Sequence, residues 1–144
     1  MLQRSIAIAS DHRGMALKAS LSEMLRARGL NVIDLGPDSE EAVDYPDFAD
    51  ALAEEIGRGS VTRGVLICGS GIGMSIAANR HRLVRAALCH DAKQACLSRQ
   101  HNDANVLTLA GATISDQEAE ACLGAFLDTE FDGGRHIRRV AKLG

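Results

Sequence analysis

Cys68 stands directly before a glycine-rich turn, Gly69-Ser70-Gly71-Ile72-Gly73. A thiol beside a helix N-terminus is held toward its thiolate, which suits it to act as a base or nucleophile. The free N–H groups of such a turn attract anionic oxygen through hydrogen bonds and the helix dipole. Neither feature is specific by itself. The turn would equally serve close helix–strand packing, and a lone cysteine at a strand end reads first as an inert core residue. The turn is no Walker A loop, because no Gly-Lys-Ser/Thr follows, and Met74 stands where the dinucleotide fingerprint needs its last glycine.

Three further groups of residues offer chemistry. Asp11-His12 follows an apolar run at a helix start, where His12 could cap the helix or touch a ligand and Asp11 could simply cap it. Ser98-Arg99-Gln100-His101-Asn102-Asp103 is a polar cluster whose plain reading is a solvated loop. Arg135 and Arg139 are four apart, so on a helix both guanidinium groups face one way and could clamp a phosphate, or simply sit in solvent. His12, His90 and His101 lack carboxylate or thiol partners at ligand spacing, so no metal site is expected.

Short apolar runs alternate with helical patterns along the chain. Strands are expected over 5–10, 30–35, 65–68, 86–89 and 105–109. Helices fall at 15–28, from Pro46 to Gly57, at 72–80 and 91–99, and from Ser115, where Ser115-x-x-Glu118 forms a capping box. Apolar strands separated by helices predict a parallel sheet covered on both faces. The expected fold is α/β, a doubly wound, five-stranded Rossmann- or flavodoxin-like three-layer sandwich of order 2-1-3-4-5. Residues 131–144 fall outside the repeat as a basic C-terminal helical extension, and 1–144 reads as one domain. Ligands of this architecture bind beyond the carboxyl ends of the strands. That rule selects Ser10-Asp11-His12, Cys68 to Gly73, and His90-Asp91.

Composition removes other classes. Sixteen Lys and Arg against nineteen Asp and Glu leave a charge of −3, which argues against a generic nucleic-acid binder. One Tyr, three Phe and no Trp supply few stacking platforms for bases. No apolar run reaches the roughly 18 residues of a membrane span, and the first residues do not read as a signal peptide. Cysteines 68, 89, 96 and 122 form no CxxC pair. A reduced, cytoplasmic protein is expected.

Five ordered segments resemble the ribose-5-phosphate isomerase B family, within the wider group that includes galactose-6-phosphate isomerase subunits. They are Ser10-Asp11-His12 with Gly14, Asp44-Tyr45-Pro46, ICGSGIGMSIAANR (67–80), SRQHNDANVL (98–107) and FDGGRHIRRV (131–140). Together they span nearly the whole chain. The resemblance implies interconversion of D-ribose 5-phosphate and D-ribulose 5-phosphate through an enediolate, with no metal and no organic cofactor. It implies Cys68 as the base between C2 and C1 and His101 as the group that opens the furanose ring. Asp11 and Ser70 would handle protons on the two oxygens, and the amides of Gly69, Ser70, Gly71, Ile72 and Gly73 would hold the enediolate. His12, Arg135 and Arg139 would contact the phosphate, Asn102 the sugar, and Tyr45 would line the pocket. A branch of the family places a Glu where this chain has Met74, which cannot accept a proton.

The resemblance also implies a homodimer, or a dimer of dimers, whose sites are built across the interface, so that the tail and the His101 region serve the neighbouring subunit. One departure stands out. Family members commonly carry an arginine shortly after strand 5, where this chain has Ala112. That departure motivates one alternative, an isomerase of another sugar phosphate (allose or galactose 6-phosphate, or a tetrose phosphate). Because fold alone does not fix function, the rival from another class is a non-catalytic anion-binding module on the same fold.

Overall fold

The computed structural model describes residues 4–144. Eleven elements follow in order: β1 (Ser5–Ser10), α1 (Met15–Ala27), β2 (Asn31–Asp34), α2 (Tyr45–Gly57), β3 (Gly64–Cys68), α3 (Ile72–Asn79), β4 (Ala86–Leu88), α4 (Ala92–Asn102), β5 (Val106–Ala110), α5 (Asp116–Asp128) and α6 (Arg135–Ala141). The local signals explain their ends. Gly29, at φ +82°, ends α1. Asp91 and Ser115 cap α4 and α5 by accepting the N–H of Gln94 and Glu118 at 2.8 and 3.1 Å.

All strands pair in parallel, in one sheet of order β2-β1-β3-β5-β4. The α/β sandwich is therefore as expected, but the last two strands exchange places. The reason lies in their side chains. β5 (VLTLA) is buried along its whole length, whereas the three residues of β4 are only partly buried. The longer, fully buried strand with its larger aliphatic side chains gains more by pairing on both edges, so β5 sits against β3 and β4 takes the edge.

Alternation along the strands divides the core in two. Ile6, Ile8, Val65, Ile67, Leu107 and Leu109 face Leu21 and Leu25 of α1, Ala95 of α4, and Leu123 and Phe126 of α5. Ala7, Ala9, Leu66 and Cys68 face Leu52 and Ala53 of α2 and Met74 and Ala78 of α3. Small residues let this second layer come close: the Leu52 side chain fills the space where Gly64 has no Cβ. Burying each of the large aliphatic side chains contributes about 1.5–3 kcal/mol. The consequence for function is positional. The helix after β1 crosses to one face and the helix after β3 to the other, so a crevice opens between the carboxyl ends of these neighbouring strands.

Candidate active site

Cys68 is the last residue of β3, and its side chain points toward the α2–α3 layer, 5% exposed. Asp11 lies beside it at the end of β1, 8% exposed, and donates its N–H to the Ile67 carbonyl at 2.9 Å. The Asp11 carboxylate closes a turn: Oδ1 accepts the N–H of Gly14 at 2.8 Å and of Arg13 at 3.1 Å. On the far side, Gly111 and Ala112 donate to the carbonyls of Cys68 and Gly69 at 2.8 and 3.1 Å. The exchange of β4 and β5 produces this contact, because it brings the end of β5 to the thiol. A small cavity results, lined by Asp11, Arg13, Gly14, Cys68, Gly69, Gly111 and Ala112.

The glycine turn is shaped by two constraints. Gly71, the N-cap of α3, has φ +75°, and a Cβ there would strike Leu88 and the Leu109 backbone. Gly73 lies under the Tyr45 ring, which a Cβ would displace. Tyr45, the first residue of α2, thus packs on the loop. Ser70 is exposed, and its Oγ accepts the Ile72 N–H at 3.1 Å. The amides of Gly69, Ser70, Gly71 and Gly73 find no acceptor among the described residues. Four of the five expected amides are therefore open to an anionic oxygen, while that of Ile72 is engaged. His12, half-buried, accepts the Val43 N–H on Nδ1 at 3.2 Å, which puts the proton of its neutral form on Nε2.

A second cluster forms where α4 ends. His101 and Asn102 are its last two residues, and they share a cavity with His136, Arg139, Val140 and Leu143. The imidazoles of His101 and His136 stack. Arg135 and Arg139, both exposed, stand four apart on α6. Burial is the main cause that holds His136 below the ordinary histidine value; the charges of His101, Arg135 and Arg139 add to it, and Asp132 opposes them.

One chain does not bring the two clusters together. α4 runs back across the sheet, so it ends at the amino ends of the strands. The ladder pairs Gly64 with Val106 and Cys68 with Ala110. Asn102 ends before β5 begins at Val106, and Cys68 stands four ladder positions beyond Gly64, roughly 13 Å further along the strand direction at about 3.3 Å per residue. The cavity beside Cys68 and the cavity beside His101 share no lining residue. Each cluster borders exposed apolar side chains, Ile72 and Ile76 on α3 (55% and 56% exposed) and Ile137 on α6 (59%).

Other expectations are corrected. His90 and Asp91 follow the edge strand β4, separated from β3 by β5, and serve α4 instead: the His90 N–H donates to the Gln94 side chain and Asp91 caps the helix. Sequence reasoning also missed three residues. Lys18 is 4% exposed, its ammonium held by Asp34 at 2.9 Å and the Pro37 carbonyl at 2.7 Å. Its helical position gave a weak signal, since it follows Leu17 on the inward face. His136 and Arg13 lie between candidate site residues but carry no spacing of their own.

Among the described residues, His101, Asp132 and His136 place ligand atoms within 4.8 Å of one another. Their rings lie 15° from parallel, so the nitrogen lone pairs run side by side rather than converging on one ion. The arrangement suits ring-to-ring packing better than metal ligation. The remaining thiols divide by burial, which pushes Cys89 up to about 11 and Cys122 up to about 12, away from reactivity at neutral pH.

Residues 6–143 match the model of the Ribose/Galactose Isomerase family. Ribose-5-phosphate isomerase B of Escherichia coli is 42% identical over 95% of this chain and 92% of its own length. The crystal structure of a ribose 5-phosphate isomerase from Thermotoga maritima superposes with a TM-score of 0.95 at 47% identity, covering 99% of this chain and 98% of that one. The ribose-5-phosphate isomerase B of Mycoplasma genitalium, solved with bound ribulose-5-phosphate, gives 0.94 at 43% identity over 99% and 95% of the two chains.

Proposed function

The chain belongs to the ribose/galactose isomerase family, and from that membership we propose that it interconverts D-ribose 5-phosphate and D-ribulose 5-phosphate. It is an isomerase, as its relatives are. The observation that carries the assignment of roles is the joint placement of Cys68, Asp11 and Gly69, where the turn with its unsatisfied amides begins, around one cavity.

In the open-chain aldose the Cys68 thiolate removes the C2 proton and returns it to C1. The O2 proton passes to O1, with Asp11 and Ser70 as the groups that carry it. The enediolate between these steps is held by the open amides of the turn. Supplying both a base and an electrostatic trap matters, because the α-proton of a sugar carbonyl is weakly acidic. No metal or organic cofactor enters this scheme.

His101, Asn102, Arg135 and Arg139 act from a second copy of the chain. His101 opens the furanose, Asn102 contacts the sugar, and the arginines hold the phosphate together with His12 of the first copy. Support comes from the roughly 13 Å between the clusters along the strand direction and from the exposed Ile72, Ile76 and Ile137 beside them. The working unit is thus a homodimer, or a dimer of dimers, with 131–144 at the contact. Residues 1–144 act as one isomerase domain, and its four free thiols suit a reducing cytoplasm. Among the described residues no helix is long and apolar enough to cross a membrane.

Ala112 favours a second reading on the same chemistry. Its methyl group leaves the β5 side of the cavity without the charge or bulk of an arginine, which suits a longer, six-carbon sugar phosphate. One assay in deuterated water tests both. Ribose 5-phosphate is expected to turn over fastest, with solvent deuterium entering the sugar. Faster turnover of allose or galactose 6-phosphate would give the second reading precedence. Exchange with no sugar phosphate would leave only an anion-binding module.

A further inference from the structure

We propose that Arg13 is a phosphate-binding residue of this site, supplying from the β1–α1 turn the guanidinium that Ala112 does not. The inference rests on the isomerase reading above for the identity of the ligand, a sugar phosphate. Its geometry stands separately.

Arg13 lines the same small cavity as Cys68, Gly69 and Ala112, the only basic side chain among the described residues to do so. Its backbone is fixed, since its N–H donates to Asp11 Oδ1 at 3.1 Å. Its guanidinium is exposed and forms no hydrogen bond or ion pair among the described residues. The neighbouring Asp11 carboxylate forms no ion pair with it; its Oδ1 instead accepts the amides of Arg13 and Gly14. A cation held at the mouth of a cavity, with no partner to give up, is suited to bidentate contact with a phosphate.

Across the cavity, Ala112 is pinned by its N–H to the Gly69 carbonyl. A side chain at 112 and one at 13 therefore enter the same volume from opposite walls. An arginine on either wall serves one ligand oxygen cluster, and this chain uses the β1 wall. Because Arg13 supports nothing in the fold, its loss should be felt only by the ligand.

The test compares wild type, Arg13→Ala, Arg13→Lys and the double variant Arg13→Ala/Ala112→Arg. KM and kcat for ribose 5-phosphate are measured, together with the Kd of inorganic phosphate by calorimetry and Tm. Arg13→Ala should raise KM about tenfold or more with a much smaller change in kcat, weaken phosphate by a similar factor, and leave Tm in place. Arg13→Lys should fall between, since it keeps charge without the planar fork. The double variant should regain most of the lost affinity. Unchanged KM and phosphate Kd in Arg13→Ala would overturn the proposal, as would a loss that Ala112→Arg leaves unrepaired. A wild type that binds phosphate through Arg13 but turns over no sugar phosphate would overturn the isomerase reading alone.

Discussion

The imidazole of His101 lies stacked on that of His136, with ring centroids 4.5 Å apart and planes 15° from parallel. One ring comes from the end of α4 and the other from α6, so the tail orients a residue that sequence places 35 positions away. His136 is buried, while His101 is half-exposed and faces the shared cavity. The buried ring is the fixed plate against which the exposed one is set.

The lowered proton affinity of His136 makes stability depend on pH. Its folded form binds a proton less readily than the unfolded chain. The stabilisation is therefore complete above the ordinary histidine value and is lost as pH falls from there through the folded value. Urea melts from about pH 7.5 down to about 5 should show this decline, and His136→Phe, which keeps a flat ring, should flatten it. An equal decline in the variant would assign the effect to other groups.

Cys68→Ala should fold normally and lose about a hundredfold to ten-thousandfold or more in kcat, the usual contribution of a positioned acid–base group. Circular dichroism and turnover measured side by side check this. Near-normal turnover would remove Cys68 as the base.

His101→Asn should slow ribose 5-phosphate, which must open its ring, far more than a substrate that is already open-chain, such as the ketose in the reverse direction. Parallel kcat/KM measurements decide it. Equal losses would mean that His101 has another role.

Mixing the two variants tests whether sites are shared. Cys68→Ala and His101→Asn chains, unfolded and refolded together, should regain about a quarter of wild-type activity, because half the dimers are mixed and each holds one intact site. No recovery would place both residues in one subunit.

Alkylation should distinguish the thiols. Cys89 and Cys122, raised to about 11 and about 12 by burial, should resist iodoacetamide near pH 8 in the folded protein, while the half-buried Cys96 reacts. Mass spectrometry of labelled peptides reads the result. Early labelling of Cys122 would contradict the burial argument.

The strands and helices were legible because they rest on local periodicity and on single residues such as Gly29 and Ser115. The order of β4 and β5 was not, since both runs are apolar and their different worth as edge or centre shows only when burial is compared. The glycine turn, Tyr45 and Asp11 were legible as types and as a resemblance. Which amides stay open, and that Ser70 engages Ile72, required coordinates.

Local sequence was enough to establish alternating strands and helices, the sharp turn after Cys68 and the pair of arginines four apart. These depend on interactions between near neighbours in the chain. Tertiary structure alone decided that β5 would bring Gly111 and Ala112 to the thiol, that Arg13 would share their cavity unpaired, and that His101 would lie at the opposite edge against His136. Those relations join residues tens of positions apart, and their cause is burial, which belongs to the packed molecule as a whole.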